Sequence, residues 1–254
     1  MIPIFSVHAI RVGTIVVQKS ATVQGAAPGT IEVPVWTAAI EGNGYRVLVD
    51  TGMKHPERWS KLAPHSLDEG ETLDGRLSEL GWRTKDVDIV INTHLHYDHA
   101  ENNLSFPDAQ FYVSQAEWDC AADPVSNQIP MYDIDWTGRD LTFMNYTLVA
   151  TDNYDVVPGI RIIQTPGHTP GHQSVLVNTA EGVLCVTGDA VCVMDNLKIP
   201  APPGVHISSR ASLESIDKIA RLADRIMPSH DPLITQFQNS SFPTATRAVH
   251  AFND

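Results

Sequence analysis

The segment Thr93-His94-Leu95-His96-Tyr97-Asp98-His99 sets three imidazoles and a carboxylate among consecutive positions. Imidazole nitrogens and carboxylate oxygens are good ligands for divalent transition metals. In an extended strand end, residues two apart point the same way, so His94 and His96 can grip one ion. A turn after His96 then sends Asp98 and His99 toward a second. A lone histidine is ordinarily a core or surface residue. Four such groups together repel when protonated and are costly to bury unless a cation neutralises the carboxylate. Three further donors stand just beyond regular elements: His168 in Pro166-Gly167-His168-Thr169-Pro170-Gly171-His172, Asp189 after Gly188, and His230 in Pro228-Ser229-His230-Asp231.

Such donors need a rigid scaffold. Tyr45–Asp50, Val87–Asn92, Gln110–Val113, Ile160–Ile163, Gln173–Val177 and Val183–Val186 are apolar, β-branched-rich runs that read as strands. Leu73, Leu77 and Leu80 recur at helical spacing, and Leu213, Ile216, Ile219, Leu222 and Ile226 form one apolar stripe, predicting a helix over 211–226 that leads into His230. Both stripes read as core. Strands interleaved with helices predict sheets covered by helices. Proline and glycine concentrate in Gly25–Pro34 and Pro200–Gly204, which read as loops.

The bulk numbers bound the function. The chain has 254 residues, enough to bury a sizeable core. Its net charge of −13, with no basic stripe, argues against a nucleic-acid partner. No apolar run approaches the roughly 20 residues of a membrane span, and the start lacks a signal-peptide pattern, so a cytoplasmic protein is expected. Cys120, Cys185 and Cys192 are too few and too scattered for a disulfide framework.

Pro34-Val35-Trp36, Leu48-Val49-Asp50-Thr51-Gly52-Met53, His94 to Ala100, Thr165 to Ser174, Gly188-Asp189-Ala190 and Ser229-His230-Asp231 together resemble the metallo-β-lactamase superfamily. Within it the chain is similar to the N-acyl-homoserine lactonases and related lactone hydrolases. The resemblance implies a single hydrolase domain over 1–254, an αββα sandwich with two mixed sheets flanked by helices. It implies two divalent ions, with Zn²⁺ the natural occupant and Mn²⁺, Fe²⁺ or Co²⁺ also fitting. His94, His96 and His168 are then expected to hold one ion, Asp98, His99 and His230 the other, and Asp189 to bridge them. His172 reads as a supporting hydrogen-bonding group, Asp50 as a carboxylate orienting a ligand imidazole, and Asp231 as a turn or cap residue. His8, His55, His65 and His250 read as surface or packing residues. For His206, pocket and surface are equal alternatives.

The chemistry implied is attack of a metal-bridging hydroxide on a lactone carbonyl, with Asp98 shuttling the proton to the leaving ring oxygen. The partner is a small cyclic substrate, and a homodimer is left open. Two departures from the lactonase pattern bear on the substrate. Cys192 stands three residues after Asp189, where acyl-homoserine lactonases carry a tyrosine, and a thiol is a weaker donor than a phenol. Glu101-Asn102 replaces a Gly-Gly pair, and Glu101 is expected in solvent. Trp36, Met53 and the Pro200–Pro203 loop are candidate pocket walls, with core or surface packing an equal alternative for each. The alternatives are hydrolysis of another cyclic ester, cyclic amide or thioester, and a non-catalytic metal-binding protein.

Overall fold

The computed structural model describes residues 3–132, 144–237 and 241–245. Two sheets organise them. The first runs β4-β1-β2-β3-β5-β6-β7, with β1 (Ser6–Gln18), β2 (Thr30–Gly42), β3 (Tyr45–Val49), β4 (His65–Ser66), β5 (Ile89–Ile91), β6 (Gln110–Ser114) and β7 (Asn145–Val149). Its β1, β2, β3 and β4 pair antiparallel, whereas β3, β5, β6 and β7 run parallel. The second runs β12-β11-β10-β9-β8, with β8 (Tyr154–Val157), β9 (Ile160–Gln164), β10 (Gln173–Thr179), β11 (Gly182–Gly188) and β12 (Arg225–Pro228). Only β11 and β12 are parallel.

Successive strand residues point to opposite faces, and here that alternation sorts the apolar residues into layers. Val47, Val49, Ile89 and Ile91 meet Ile160, Ile162, Val175, Val177, Leu184 and Val186 in a core between the sheets. Leu48, Val90, Phe111 and Val113 point the other way and pack with Leu73, Leu77 and Trp82. On the far side, Ile163 and Cys185 pack against Ile216 and Ile219. Helix, sheet, sheet, helix is therefore the order of layers, as the αββα expectation has it. No helix among the described residues is long and apolar enough to cross a membrane.

Two expectations need correction. The helix bearing Ile216 and Ile219 spans Ser209–Leu222, and Ile226 lies in β12. Ile226 still joins the cluster of Ile216 and Ile219, but from the strand side, so the apolar spacing ran across a helix–strand junction. His230 consequently follows a strand. The stretch Gly25–Pro34 is a loop only in its first half: from Thr30 it is β2, where Pro34 pairs with Thr14 beside a register shift in β1. Proline is tolerated at such an irregularity because a ladder hydrogen bond is already interrupted there. The long β1–β2 hairpin was not legible in the sequence reading.

Candidate metal centre

The ends of β5, β9, β11 and β12 deliver the donors. Beyond Ile91 the chain stays extended: Asn92 N–H donates to Tyr112 O, and Thr93 O accepts from Gln173 N–H of the second sheet. His96 then begins a single helical turn, Tyr97–Ala100, whose His99 and Ala100 N–H groups donate back to His96 O. That turn brings His99 beside His94, their ring centroids 4.1 Å apart. Gly188 closes β11 at φ +52°, where a side chain would fall against Thr93 and His172. Glycine tolerates this conformation and this approach. Asp189 follows at once, its N–H donating to His172 Nε2 at 2.9 Å.

The seven predicted donors converge. His94 Nε2 and His168 Nε2 each lie 3.1 Å from His96 Nδ1. Asp189 turns its Oδ1 to His99 Nε2 (3.3 Å) and His230 Nε2 (3.2 Å), and its Oδ2 to His168 Nε2 (3.4 Å). Asp98 Oδ2 is 3.6 Å from both His99 Nε2 and His230 Nε2. Donor atoms of His94, His96 and His168 form one compact group, those of Asp98, His99 and His230 another, and His94, His99 and Asp189 a third that overlaps both. All seven residues are buried.

The outward nitrogens fix the tautomers. His168 Nδ1 donates to Val205 O (2.7 Å), His230 Nδ1 to Pro34 O (2.9 Å) and His99 Nδ1 to Asp50 Oδ2 (2.8 Å). Thr93 Oγ1 gives its proton to Asp50 Oδ2, so it accepts from His94 Nδ1. Four Nε2 lone pairs are thereby aimed inward, the arrangement that ligand imidazoles adopt. His99 Nε2 has no hydrogen-bond partner although fully buried, and it faces two carboxylates. Lone pairs pointed at carboxylate oxygens repel unless a proton or a metal cation lies between them.

The electrostatics agree. Burial and the neighbouring imidazoles hold His94 and His96 well below the ordinary histidine range, as neutral rings. Burial opposes charge on His99 too, but Asp98, Asp189 and Asp50 outweigh it and raise its pKa. Asp189 is driven well below the carboxylate range: burial resists, and His230, His99 and His168 prevail. The donor set therefore fits divalent ions in both chemistry and charge.

Asp50 sits at φ +65°, a strained setting for a non-glycine residue. From there its Oδ1 accepts from Thr93 N–H (2.7 Å) while Oδ2 holds His99. His172, pushed down to about 3 by burial and then His168, is a neutral ring that accepts from Asp189 N–H. Asp231 caps the turn Pro232–Gln236 through Leu233 N–H.

A cavity of about 510 Å³ opens over the cluster. His96, Asp98, His168, Asp189, Cys192 and His230 form its polar floor, and Ile15, Val17, Val33, Leu62, Met131 and Val205 lie along its apolar walls. Burial, then Asp189 and Asp98, raises the Cys192 pKa well above the ordinary range and keeps it a thiol. Tyr97, inside the His94–His99 segment, carries no metal-ligand signal in the sequence but also lines this cavity. Its hydroxyl donates to His65 Nε2 (2.5 Å), since His65 Nδ1 already donates to Ala63 O. His65 is thus more than a packing residue.

The expectation for Glu101 fails. Glu101 is buried, accepting from Lys54 N–H (2.6 Å), His55 N–H (2.9 Å) and Trp59 Nε1 (3.3 Å), because the 51–59 loop turns its donors inward. Trp36 and Met53 do not line the cavity: Trp36 donates to Asp231 O, and Met53 is in the core. No residue of Pro200–Pro203 lines it. His206 bonds Pro203 O and Ser209 Oγ, away from the pocket. His8 pairs with Glu41 and His55 is exposed, while His250 lies outside the described residues.

Comparison with known proteins follows the same lines. The model of the metallo-β-lactamase superfamily matches residues 30–119 and 152–230. An N-acyl homoserine lactonase of Bacillus cereus is 29% identical over 238 residues, covering 87% of this chain and 89% of the relative. A crystal structure of a B. thuringiensis AiiA variant with N-decanoyl-L-homoserine at its active site superposes with TM-score 0.79 at 26% identity, covering 93% of this chain and 96% of that one. An N-acyl homoserine lactone hydrolase with the product N-hexanoyl-L-homoserine at its catalytic metal centre gives TM-score 0.78 at 25% identity, with coverage of 93% and 96%.

Proposed function

The chain belongs to the metallo-β-lactamase superfamily, and from that premise we propose that it is a dinuclear-metal hydrolase that opens lactone rings. The observation that carries the reading is the set of inward lone pairs and carboxylate oxygens on the floor of an apolar cavity. In this reading His94, His96 and His168 hold one ion, and Asp98, His99 and His230 the other. Asp189, whose oxygens face His99, His230 and His168, would serve both. Zn²⁺ suits this nitrogen and oxygen set, and Mn²⁺, Fe²⁺ or Co²⁺ also fit. A bound pair supplies a nucleophilic water at neutral pH and polarises the ester carbonyl.

The protein's own residues do the rest. Asp98 turns Oδ2 toward His99 and His230, which leaves Oδ1 to carry a proton to the departing ring oxygen. Asp50, Val205 O and Pro34 O hold the His99, His168 and His230 rings in place during turnover. The apolar walls exclude water and bury a hydrocarbon substituent, worth about 25 cal/mol per Å² covered. Relatives named for acyl-homoserine lactones make that class the first candidate. One observation favours other lactones instead: Cys192, on the floor, is a poor donor where those lactonases carry a phenol.

The test is hydrolysis of a panel of acyl-homoserine lactones, simple γ- and δ-lactones, cyclic amides and thioesters. Lactone turnover is expected, abolished by chelation and restored by Zn²⁺, Mn²⁺ or Co²⁺. A metal-replete protein that hydrolyses no member of the panel refutes the reading.

A further inference from the structure

Glu117 is fully buried on the helix Gln115–Ala122, which starts directly after β6. Its Oε1 accepts from Leu95 N–H (3.0 Å) and Tyr132 Oη (2.9 Å), and its Oε2 from Thr169 Oγ1 (2.5 Å). Gly171 N–H also donates to it. A carboxylate is an acceptor with about four lone-pair sites, so these donors satisfy it fully. A Cβ on Gly171 would collide with the Glu117 backbone nitrogen, so the 166–172 loop is pressed onto the start of this helix.

The partners are not a random set. Leu95 lies between His94 and His96. Thr169 follows His168. Tyr132 stacks edge-on against the His96 ring at 4.8 Å between centroids and bridges the His96 backbone. The other three donors have different supports: His99 is held by Asp50, His230 by Pro34 O, and Asp98 rides on the turn Tyr97–Ala100. A general structural brace would hold both trios, whereas these bonds reach only one.

We infer that Glu117 is the positioning residue for the His94, His96 and His168 trio, holding three separate segments in register so that their imidazoles converge on one ion. The inference rests on the dinuclear reading above. It makes the two ions unequal in what they depend on. Loss of Glu117 weakens one ion while the other stays.

The experiment is metal titration of the full chain with Zn²⁺ and with spectroscopically visible Co²⁺. Wild type is expected to take two equivalents; a wild type that takes none refutes the functional reading before any variant is made. Glu117→Gln keeps size and shape but removes the charge and replaces one acceptor oxygen by NH₂; the Tyr132 and Thr169 hydroxyls can turn to accept, whereas the Leu95 and Gly171 N–H groups cannot. Affinity for one equivalent is expected to fall about 10- to 100-fold, the other remaining. Adding His96→Ala should leave the surviving equivalent unchanged, and adding His230→Ala should remove it. Thr169→Val, a gentler change, should weaken the same equivalent about tenfold, and it carries the test alone if Glu117→Gln does not fold. Two equivalents bound as tightly as in wild type, or both weakened together, overturns the assignment.

Discussion

The two sheets supply the centre in opposite ways. The seven-stranded sheet delivers four donors from one uninterrupted run, His94 to His99, shaped by a strand end and a single helical turn. The five-stranded sheet delivers three, His168, Asp189 and His230, each from a different strand end. In the first case local geometry sets the spacing. In the second, only the packing of three strands against their helix does. The first group should therefore tolerate damage at a distance better than the second.

Asp189→Asn strikes where the two contributions meet and should have the largest effect. We expect kcat/KM to fall on the order of a thousandfold, about 4 kcal/mol of transition-state stabilisation, with metal content falling in parallel. Full activity with two ions retained would contradict its shared role. Next come matched cavities behind each sheet. Ile216→Ala and Leu77→Ala should each cost about 2–5 kcal/mol in denaturant unfolding. Only Ile216→Ala, behind the five-stranded sheet, should also loosen metal binding. Equal losses of metal affinity would erase the distinction between the sheets.

Asp50→Asn tests the support of the continuous run. Its amide would turn a donor toward either His99 Nδ1–H or Thr93, and metal affinity should drop about 10- to 100-fold, read by competition with a chelator. An unchanged affinity would mean that the His99 ring needs no such anchor. Cys192→Tyr should have the smallest effect, a few-fold gain in acyl-homoserine lactone turnover over simple lactones, about 1 kcal/mol. An unaltered substrate profile would remove Cys192 from the substrate's surroundings.

The same contrast governs what the sequence disclosed. His94 to His99 stood out because its donors are neighbours in the chain, and the strands at 45–49, 89–91 and 110–114 were legible because apolar residues fill most of each run, with Val47 to Val49 and Ile89 to Ile91 buried on both faces. His168, Asp189 and His230 were found by motif, not by periodicity. The helix–strand boundary before His230 was misplaced because Ile226 faces the same core as Ile216 and Ile219. Glu101 was expected in solvent, and Glu117 carried no signal. Nothing in their neighbours along the chain reveals that donors from loops 51–59, 95 and 169–171 turn toward them. The β1–β2 hairpin was hidden because its proline and its register shift resemble a loop in one dimension.

That hairpin also shapes the protein's prospects for change. Its outer stretch contributes Ile15, Val17 and Val33 to the cavity, yet among the described residues these strands hold an inward-facing imidazole through a main-chain oxygen, Pro34 O to His230. Side chains there can be exchanged without replacing any of the seven candidate donors. Selection can thus retune which molecules are admitted while the reactive machinery is inherited intact, and a mutational library confined to positions 15–18 and 30–33 is the natural place to redirect the enzyme's appetite.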